Sequence, residues 1–395
     1  MALWLALILA GCSAGDIPTS PVPPSRTPAP LRTRRPVPSR TPGPSTTASL
    51  TQTTRLSATS TPTSTDTPSA TSTATLSPPP SETLTLTATT TLTPDGWPVP
   101  TLFPMSIAAM RLGSYPGSDI KVDQELDAGA NYRRFYVHYL SQGLKIYALL
   151  TVPNGNMPKG GWPGIVFNHG YIPPNEYRTT ERYVAYVDRL ARSGFVVFRI
   201  DYRGHDRSDG DPQGAYGDPG YEVDVLNALA SLKRFPQVNP HKIGMWGHSM
   251  GGYLTLRAMV ISKNIKAGVI WAGVVAPYPE ILYNWPPGPS IPPANSRVWM
   301  DEWPALYGTP GENPGFWAAI SANSYVADLS GPLQLHYGTA DEEVPPEFSE
   351  TLAQEIQAVG GNVEIYSYPD DDHNLTNYFN LAMNRTIAFF KNYLR

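Results

Sequence analysis

Apolar and polar positions divide the chain into two unlike parts. From residue 16 to residue 95, Thr, Ser and Pro dominate and no apolar periodicity develops. From about Trp97 onward, short apolar runs recur, and Gly and Pro fall mainly at turn positions. A segment without apolar side chains cannot offset the entropy cost of ordering its backbone. We therefore expect one folded domain over residues 97–395 and a disordered linker over residues 13–96.

Nine apolar runs in the second part are typical of β-strands. Ile120–Leu126 is the first, and Tyr132–Tyr139 with Leu144–Val152 predicts a hairpin that turns at Gly143. The remaining six runs are mostly rich in Val and Ile, which suits buried parallel strands. They are Gly164–Phe167, Phe195–Asp201, Lys242–Trp246, Ala267–Ala272, Leu333–Tyr337 and Val363–Tyr368.

Between several of these runs, apolar residues recur at the spacing of an amphipathic helix. Strands that alternate with helices in this way predict an α/β fold, in which helices cover both faces of a mostly parallel, doubly wound sheet. The helical sets are Val184, Val187 and Leu190, then Val223, Leu226 and Leu229, then Leu352, Ile356 and Val359.

Composition excludes several classes of function. The formal net charge is −4, and the folded part contains no cluster of Lys and Arg. A nucleic-acid surface needs such a cluster, so we expect no nucleic-acid partner. Cys12 is the single cysteine, which rules out an intrachain disulfide or a cysteine-based metal site. We expect no cofactor and no metal.

The first twelve residues form a candidate export signal. Residues 2–10 are apolar but too few to span a bilayer. They end in Leu9-Ala10-Gly11-Cys12, which resembles the lipobox of bacterial lipoproteins, where the cysteine carries the lipid. The resemblance implies an exported protein that contacts the membrane only through a lipid on Cys12. The alternative is an ordinary cleaved signal, with a cysteine at this position by chance.

The strongest chemical motif surrounds Ser249. The strand Lys242–Trp246 leads into the hexapeptide GHSMGG at residues 247–252, and Tyr253–Ile261 has a helical pattern. A nucleophile elbow needs a strand before the serine, a helix after it and small residues on both sides. All three conditions are met, so we predict that Ser249 is a nucleophile rather than part of a structural turn.

A serine nucleophile needs an imidazole that accepts its proton. Only two histidines follow Ser249 in the chain. His336 lies within an apolar strand and fits a packed core position. His373 lies in a turn between the last strand and the last helix, where a base can reach the elbow. We therefore predict that His373 is the general base.

The base in turn needs a carboxylate that fixes its tautomer. Asp341 is the first carboxylate after the strand Leu333–Tyr337, and the run Asp370–Asp372 precedes His373 directly. A residue next to the histidine along the chain seldom reaches its Nδ1, so we predict Asp341 as the acid. Glu342 and Glu343 fit a solvated acidic cluster better.

An oxyanion hole requires two N–H donors. The residue after the nucleophile, Met250, offers one of them. The loop after the strand Gly164–Phe167 offers the other, because Gly170 permits a close approach of the backbone and Tyr171 has a free N–H. The alternative for this loop is an ordinary strand-terminating turn.

A long connection of about residues 275–326 separates two strands and predicts a cap-like insertion. Because it is rich in aromatic residues, we expect an aromatic substrate pocket there; the alternative is ordinary packing within the cap. The pocket candidates are Trp285, Trp299, Trp303 and Trp317.

Together these motifs resemble the catalytic domain of the prolyl oligopeptidase family and its esterase relatives, over about residues 120–395. The resemblance implies an α/β-hydrolase fold and an acyl-enzyme formed on Ser249. It rests on the hairpin that ends in residues 144–148, Asn168-His169-Gly170, Asp201-Tyr202-Arg203-Gly204, GHSMGG at 247–252, Gly338-Thr339-Ala340-Asp341 and Asp372-His373.

Three functions follow from this resemblance, in order of preference. Met250 stands where prolyl oligopeptidases usually have an aromatic residue, and His-Ser-Met-Gly-Gly is common among esterases. We therefore expect hydrolysis of a small carboxylic ester outside the cytoplasm. The second reading is a serine peptidase that cleaves short peptides with the same residues. The third is a surface binding module without activity, which the intact set Ser249, Asp341 and His373 argues against.

Overall fold

The computed structural model describes residues 103–285 and 297–394. The predicted signal segment 1–12, its lipidation site Cys12 and the linker 13–96 lie outside these residues, as does part of the predicted cap. Within the described ranges, no helix is both long enough and apolar enough to cross a bilayer.

One mixed sheet of nine strands organises the described residues, in the order β1-β2-β3-β5-β4-β6-β7-β8-β9. Across the first four positions of this order, β1, β2, β3 and β5, each strand is antiparallel to the next. From β5 through β4 and β6 to β9, each strand is parallel to the next. All nine predicted strands are present. Their bounds are Lys121–Leu126, Tyr132–Ser141, Leu144–Pro153, Trp162–Asn168, Val196–Ile200, Val238–His248, Ala267–Trp271, Leu333–Gly338 and Val363–Tyr368 for β1 to β9.

The described helices lie before, between and after the strands. The predicted helices between strands are confirmed, and the structure adds a short helix before β1. In chain order, α1 to α9 are Ile107–Leu112, Val184–Arg192, Gly220–Arg234, Met250–Ile261, Tyr278–Asn284, Trp299–Tyr307, Pro314–Ile320, Pro346–Ala358 and Phe379–Tyr393, and a 3₁₀ helix spans Ala322–Asp328.

Two apolar clusters cover the two faces of the sheet, as expected for a doubly wound fold. One contains Leu190 of α2 and Phe390 of α9, which pack with Trp246 of β6. The other contains Leu226 of α3 and Leu254 of α4, together with residues of α1, α7 and α8. Because both faces are covered, polar loops gather at the strand ends.

The carboxyl ends of β4, β6, β8 and β9 meet at one edge of the sheet. Register places Asn168 of β4 beside Gly247 of β6, and Gly338 of β8 beside Tyr368 of β9. In open parallel sheets this edge is where ligands bind. The fold thereby brings the loops after these four strands together.

A buried arginine joins three parts of this fold. Nε of Arg257 in α4 lies 2.9 Å from Oε1 of Glu222 in α3, and each side chain is 1% exposed. The guanidinium also donates to the carbonyl oxygens of Ile320 and Met105, at 2.6 Å each. Arg257 therefore connects α3 and α4 to the end of the cap and to the segment before α1.

Replacing Arg257 by Met should lower the free energy of unfolding by about 3–5 kcal/mol, because Glu222 is left as a buried charge without its cation. Urea unfolding measures this change. The control is Arg133→Met, which removes an equally short but exposed ion pair with Glu125. The control should leave the unfolding midpoint unchanged. Equal shifts in the two variants would contradict the role assigned to Arg257.

Candidate active site

Ser249 occupies a strained turn between β6 and α4. Its backbone has φ 55° and ψ −120°, a conformation that non-glycine residues rarely adopt. Its N–H donates to the carbonyl oxygen of Trp271 at the end of β7, at 3.0 Å. The turn leaves the Ser249 side chain half-buried and facing a cavity. This is the geometry expected of a nucleophile elbow.

Two glycines in the GHSMGG motif permit this turn. A Cβ on Gly247 would collide with the backbone of Gly251, and a Cβ on Gly251 would collide with the carbonyl oxygen of Asn168. The backbones of β4 and of the elbow therefore approach each other too closely for any side chain. This explains why the motif needs glycine on both sides of the serine.

His373 and Asp341 are in direct contact. Nδ1 of His373 lies 2.8 Å from Oδ2 of Asp341. The other carboxylate oxygen, Oδ1, accepts hydrogen bonds from the amides of Glu343 and Val344. Since a carboxylate only accepts, Nδ1 of His373 carries a proton, and in the neutral ring the lone pair then lies on Nε2. This is the tautomer that a general base needs.

The competing aspartates have other partners. Asp371 accepts from the amides of Asn377 and Tyr378, and Asp372 accepts from the amide and hydroxyl of Thr376. These bonds shape the turn that precedes α9. The only carboxylate in the described residues that bonds to Nδ1 of His373 is that of Asp341.

Ser249 and His373 line the same cavity, of about 290 Å³. Among the described residues, no hydrogen bond joins the Ser249 hydroxyl to His373. Such bonds are often absent before substrate binds. The structure therefore brings Ser249 and His373, the predicted nucleophile and base, to one cavity. The cavity lining comprises Gly170, Tyr171, Ile172, Arg182, Tyr183, Tyr186, His248, Ser249, Glu343, His373 and Asn374.

The three oxyanion candidates lie close to Ser249. A Cβ on Gly170 would sit 2.7 Å from the Tyr183 hydroxyl and 3.2 Å from the Cβ of Ser249, so a side chain there would require its neighbours to shift. The amide of Gly170 donates to the Tyr183 hydroxyl at 2.9 Å. Within the described ranges, the amides of Tyr171 and Met250 have no protein acceptor, which leaves both of them available as donors.

The structure corrects the prediction of a tryptophan pocket. Trp285, Trp299, Trp303 and Trp317 are at most 6% exposed, and none lines the cavity beside Ser249. Trp299 and Trp303 pack on each other with ring centroids 5.1 Å apart. Trp317 donates to the Gly308 carbonyl, and Trp285 donates to that of Glu343. These indoles form the core of the cap and support the acid loop.

His336 occupies the core position predicted for it. It is fully buried, with Nδ1 2.8 Å from the Tyr368 hydroxyl and Nε2 2.8 Å from Oε1 of Gln334. Burial, together with the nearby charge of Arg385, lowers the pKa of His336 to about 3. The ring therefore stays neutral and structural.

Sequence reasoning missed three groups around the cavity. Oε2 of Glu343, assigned above to a solvated cluster, lies 3.8 Å from Nε2 of His373. Tyr183 precedes α2 in a left-handed conformation, and no pattern in the sequence predicts that conformation. His248 stands inside the GHSMGG motif, and its position next to the nucleophile was a signal that could have been used.

Across residues 103–285 and 297–394, no cluster of three or more His, Cys, Asp or Glu side chains is arranged to hold a metal ion.

Comparison with protein families decides the relationship. Residues 182–395, more than half of the chain, match the model of the prolyl oligopeptidase family. The chain belongs to the prolyl oligopeptidase family. It is therefore a serine hydrolase, and the family resemblance read from its motifs is confirmed.

Relatives in this family and in the same fold include both peptidases and esterases. The chain is 25% identical over 257 residues to the uncharacterized peptidase YtmA of Bacillus subtilis, covering 65% of this chain and 90% of YtmA. A second relative is the uncharacterized peptidase YuxL of the same organism, where the match covers 55% of this chain but only 30% of YuxL.

Two solved structures share the α/β-hydrolase fold. An acetyl xylan esterase from Paenibacillus sp. R4 matches with a TM-score of 0.55 and 18% identity, over 71% of this chain and 91% of the esterase. Dipeptidyl peptidase 4 of Porphyromonas gingivalis matches with a TM-score of 0.52 and 22% identity, over 67% of this chain and 36% of the peptidase. At these identities the likeness supports the fold alone.

Replacing Asp341 by Asn should lower kcat by about 10⁴-fold, because the amide no longer holds His373 in the tautomer with a free Nε2. Hydrolysis of a p-nitrophenyl ester measures this. The control is Asp370→Asn, at an exposed residue with φ 55°, where asparagine is well tolerated. The control should stay within about threefold of wild type. If Asp370→Asn lost most of its kcat while Asp341→Asn stayed near wild type, the assignment of Asp341 as the acid would be wrong.

Proposed function

We propose that this member of the prolyl oligopeptidase family hydrolyses small carboxylic esters through an acyl-enzyme on Ser249, with His373 as general base and Asp341 as its orienting acid. One observation carries the proposal. Asp341 bonds to Nδ1 of His373 at 2.8 Å, while the same imidazole lines the cavity that Ser249 faces.

The reaction follows from these positions. Nε2 of His373 accepts the proton of Ser249 Oγ as Oγ attacks the ester carbonyl carbon. The imidazolium then gives this proton to the alkoxide oxygen of the leaving alcohol as the C–O bond breaks. Water attacks the acyl-enzyme with the same base, which releases the carboxylic acid and restores Ser249.

The negative charge of the tetrahedral intermediate needs two donors. The amides of Met250 and Tyr171 supply them in this proposal, because they flank Ser249 and have no acceptor among the described residues. Two preorganised amides in a half-buried site stabilise an oxyanion more strongly than water does.

Peptide hydrolysis is the second candidate, and the family match favours it. The relatives YtmA and YuxL are described as peptidases, although uncharacterized ones. Met250 argues for the ester, since it follows the nucleophile where prolyl oligopeptidases usually have an aromatic residue. An amide substrate requires the same three residues, so the two functions differ in substrate and not in mechanism.

One enzyme preparation should separate the two candidates. We expect turnover of a p-nitrophenyl ester, no detectable turnover of an amino-acyl p-nitroanilide, and loss of ester turnover in Ser249→Ala. Release of p-nitrophenol and of p-nitroaniline is followed by absorbance. Anilide turnover that disappears in Ser249→Ala would replace the esterase by a peptidase. Ester turnover that survives in Ser249→Ala would show that Ser249 is not the nucleophile.

We also propose that the enzyme acts outside the cytoplasm and is tethered through a lipid on Cys12. The support is the sequence Leu9-Ala10-Gly11-Cys12 after an apolar run, with the single cysteine of the chain at the lipobox position. The Thr-, Ser- and Pro-rich residues 13–96 would then hold the catalytic domain away from the membrane surface.

Replacing Cys12 by Ser should move the enzyme from the membrane fraction to the soluble fraction, because a hydroxyl cannot form the lipid-bearing thioether. Fractionation followed by fluorophosphonate labelling locates the active protein. Ser13→Ala is the matched control and should stay with the membranes. Membrane association that persists in Cys12→Ser would contradict the anchor.

A further inference from the structure

A chain of hydrogen bonds runs from the oxyanion loop to the loop of the general base through Tyr183 and His248. We propose that Tyr183 and His248 are a positioning pair: together they fix the backbone carbonyl of His373 and the amide of Gly170 relative to Ser249. This proposal rests on the proposed function, because it assigns the pair a role in placing the base and the oxyanion donors.

Three bonds make up the chain. The amide of Gly170 donates to the Tyr183 hydroxyl at 2.9 Å. That hydroxyl lies 2.7 Å from Nδ1 of His248. Nε2 of His248 lies 3.0 Å from the carbonyl oxygen of His373. The chain thus begins beside the proposed oxyanion donor Tyr171 and ends on the backbone of the base.

The direction of every bond follows from its two ends. The carbonyl oxygen of His373 only accepts, so Nε2 of His248 must carry a proton. The ring is neutral, because burial, with His373 close by, lowers the pKa of His248 to about 3. Nδ1 therefore accepts, the Tyr183 hydroxyl donates to it, and the phenolic oxygen accepts from Gly170. Every donor has one acceptor, so the chain has a single arrangement.

Tyr183 is itself held rigidly. Arg182 and Tyr183 have φ values of 35° and 51°, in the left-handed region. The buried guanidinium of Arg199 on β5 donates to the carbonyl oxygens of Thr179, Glu181 and Arg182. A strained backbone persists only where its surroundings hold it in place. Arg199 thereby ties the residues directly before Tyr183 to β5.

His248 is placed where a small shift would reach the reacting groups. Its ring centroid is 4.6 Å from that of His373. A Cβ on Gly170 would lie 3.2 Å from both Nδ1 of His248 and Cβ of Ser249. The base is thereby held at two points, its Nδ1 by Asp341 and its backbone carbonyl by His248. Two restraints on one residue define where its Nε2 lies.

Two substitutions at His248 separate its two bonds. The side-chain amide of Asn ends near the position of Nδ1, so His248→Asn can still accept from Tyr183 but cannot reach the His373 carbonyl. The longer Gln places an N–H near the position of Nε2, so His248→Gln can still donate to that carbonyl. The two His248 variants therefore carry the same amide group and differ in which of the two hydrogen bonds they keep.

We expect His248→Asn to lower kcat on a p-nitrophenyl ester by about 10- to 100-fold, the effect of one lost hydrogen bond to a buried group. KM should change less than kcat, because the lost bond acts on the position of His373 rather than on the bound substrate. His248→Gln should recover most of kcat. Tyr183→Phe, which breaks the chain at its centre, should lower kcat by about tenfold, again with little change in KM.

Three controls keep the test decisive. Tyr139→Phe removes a buried hydroxyl that bonds to the Asp224 carbonyl away from the cavity, and it should keep kcat. Thermal unfolding of each variant shows whether a loss in kcat follows a loss in stability. Ser249→Ala reports on the proposed function itself: activity in that variant would overturn the nucleophile, whatever happens at His248.

The proposal is overturned if His248→Asn and His248→Gln have equal kcat, or if Tyr183→Phe matches Tyr139→Phe while Ser249→Ala is inactive. A merely structural role would lower the unfolding temperature of both His248 variants and leave the kcat of the folded enzyme unchanged. If a His248 variant does not fold, Tyr183→Phe against Tyr139→Phe decides the question alone.

Discussion

The site depends on the close contact between the elbow that carries Ser249 and the end of β4. Gly251 lies against the carbonyl oxygen of Asn168, too close for a side chain. This contact puts the N-terminus of α4 beside the loop that follows β4. The amides of Met250 and Tyr171, which belong to these two segments, consequently flank the same serine. A residue larger than glycine at 251 would push the elbow away from the end of β4.

Buried hydrogen bonds connect the other loops around that contact. The loops after β8 and β9, which carry Asp341 and His373, are joined by a hydrogen bond from the amide of Ala340 to the carbonyl oxygen of Asp371 at 3.0 Å. The guanidinium groups of Arg199 and Arg257 donate hydrogen bonds to backbone carbonyl oxygens outside the sheet. A buried cation is stable only when such acceptors surround it. These bonds connect irregular segments of the fold to β5 and α4.

Much of this was predictable because its causes are local. The strands follow from apolar runs, and the contact of His373 with Asp341 follows from the placement of one residue after each of two neighbouring strands. The tryptophans of the cap failed as a prediction, because whether an aromatic ring lines a cavity or a core depends on packing between distant segments. Tyr183 was missed for a related reason: the residues just before it are bound by Arg199 of β5, a contact between segments that are distant in the chain.

The central claim is that Ser249 is the acylated nucleophile of a prolyl oligopeptidase family enzyme. Peptide mapping by mass spectrometry after fluorophosphonate treatment tests it directly. We expect one phosphonyl group per chain, on the peptide that contains Ser249, with no adduct on the peptide that contains the buried Ser141. An adduct on another serine, or an active enzyme that takes up no label, would contradict it.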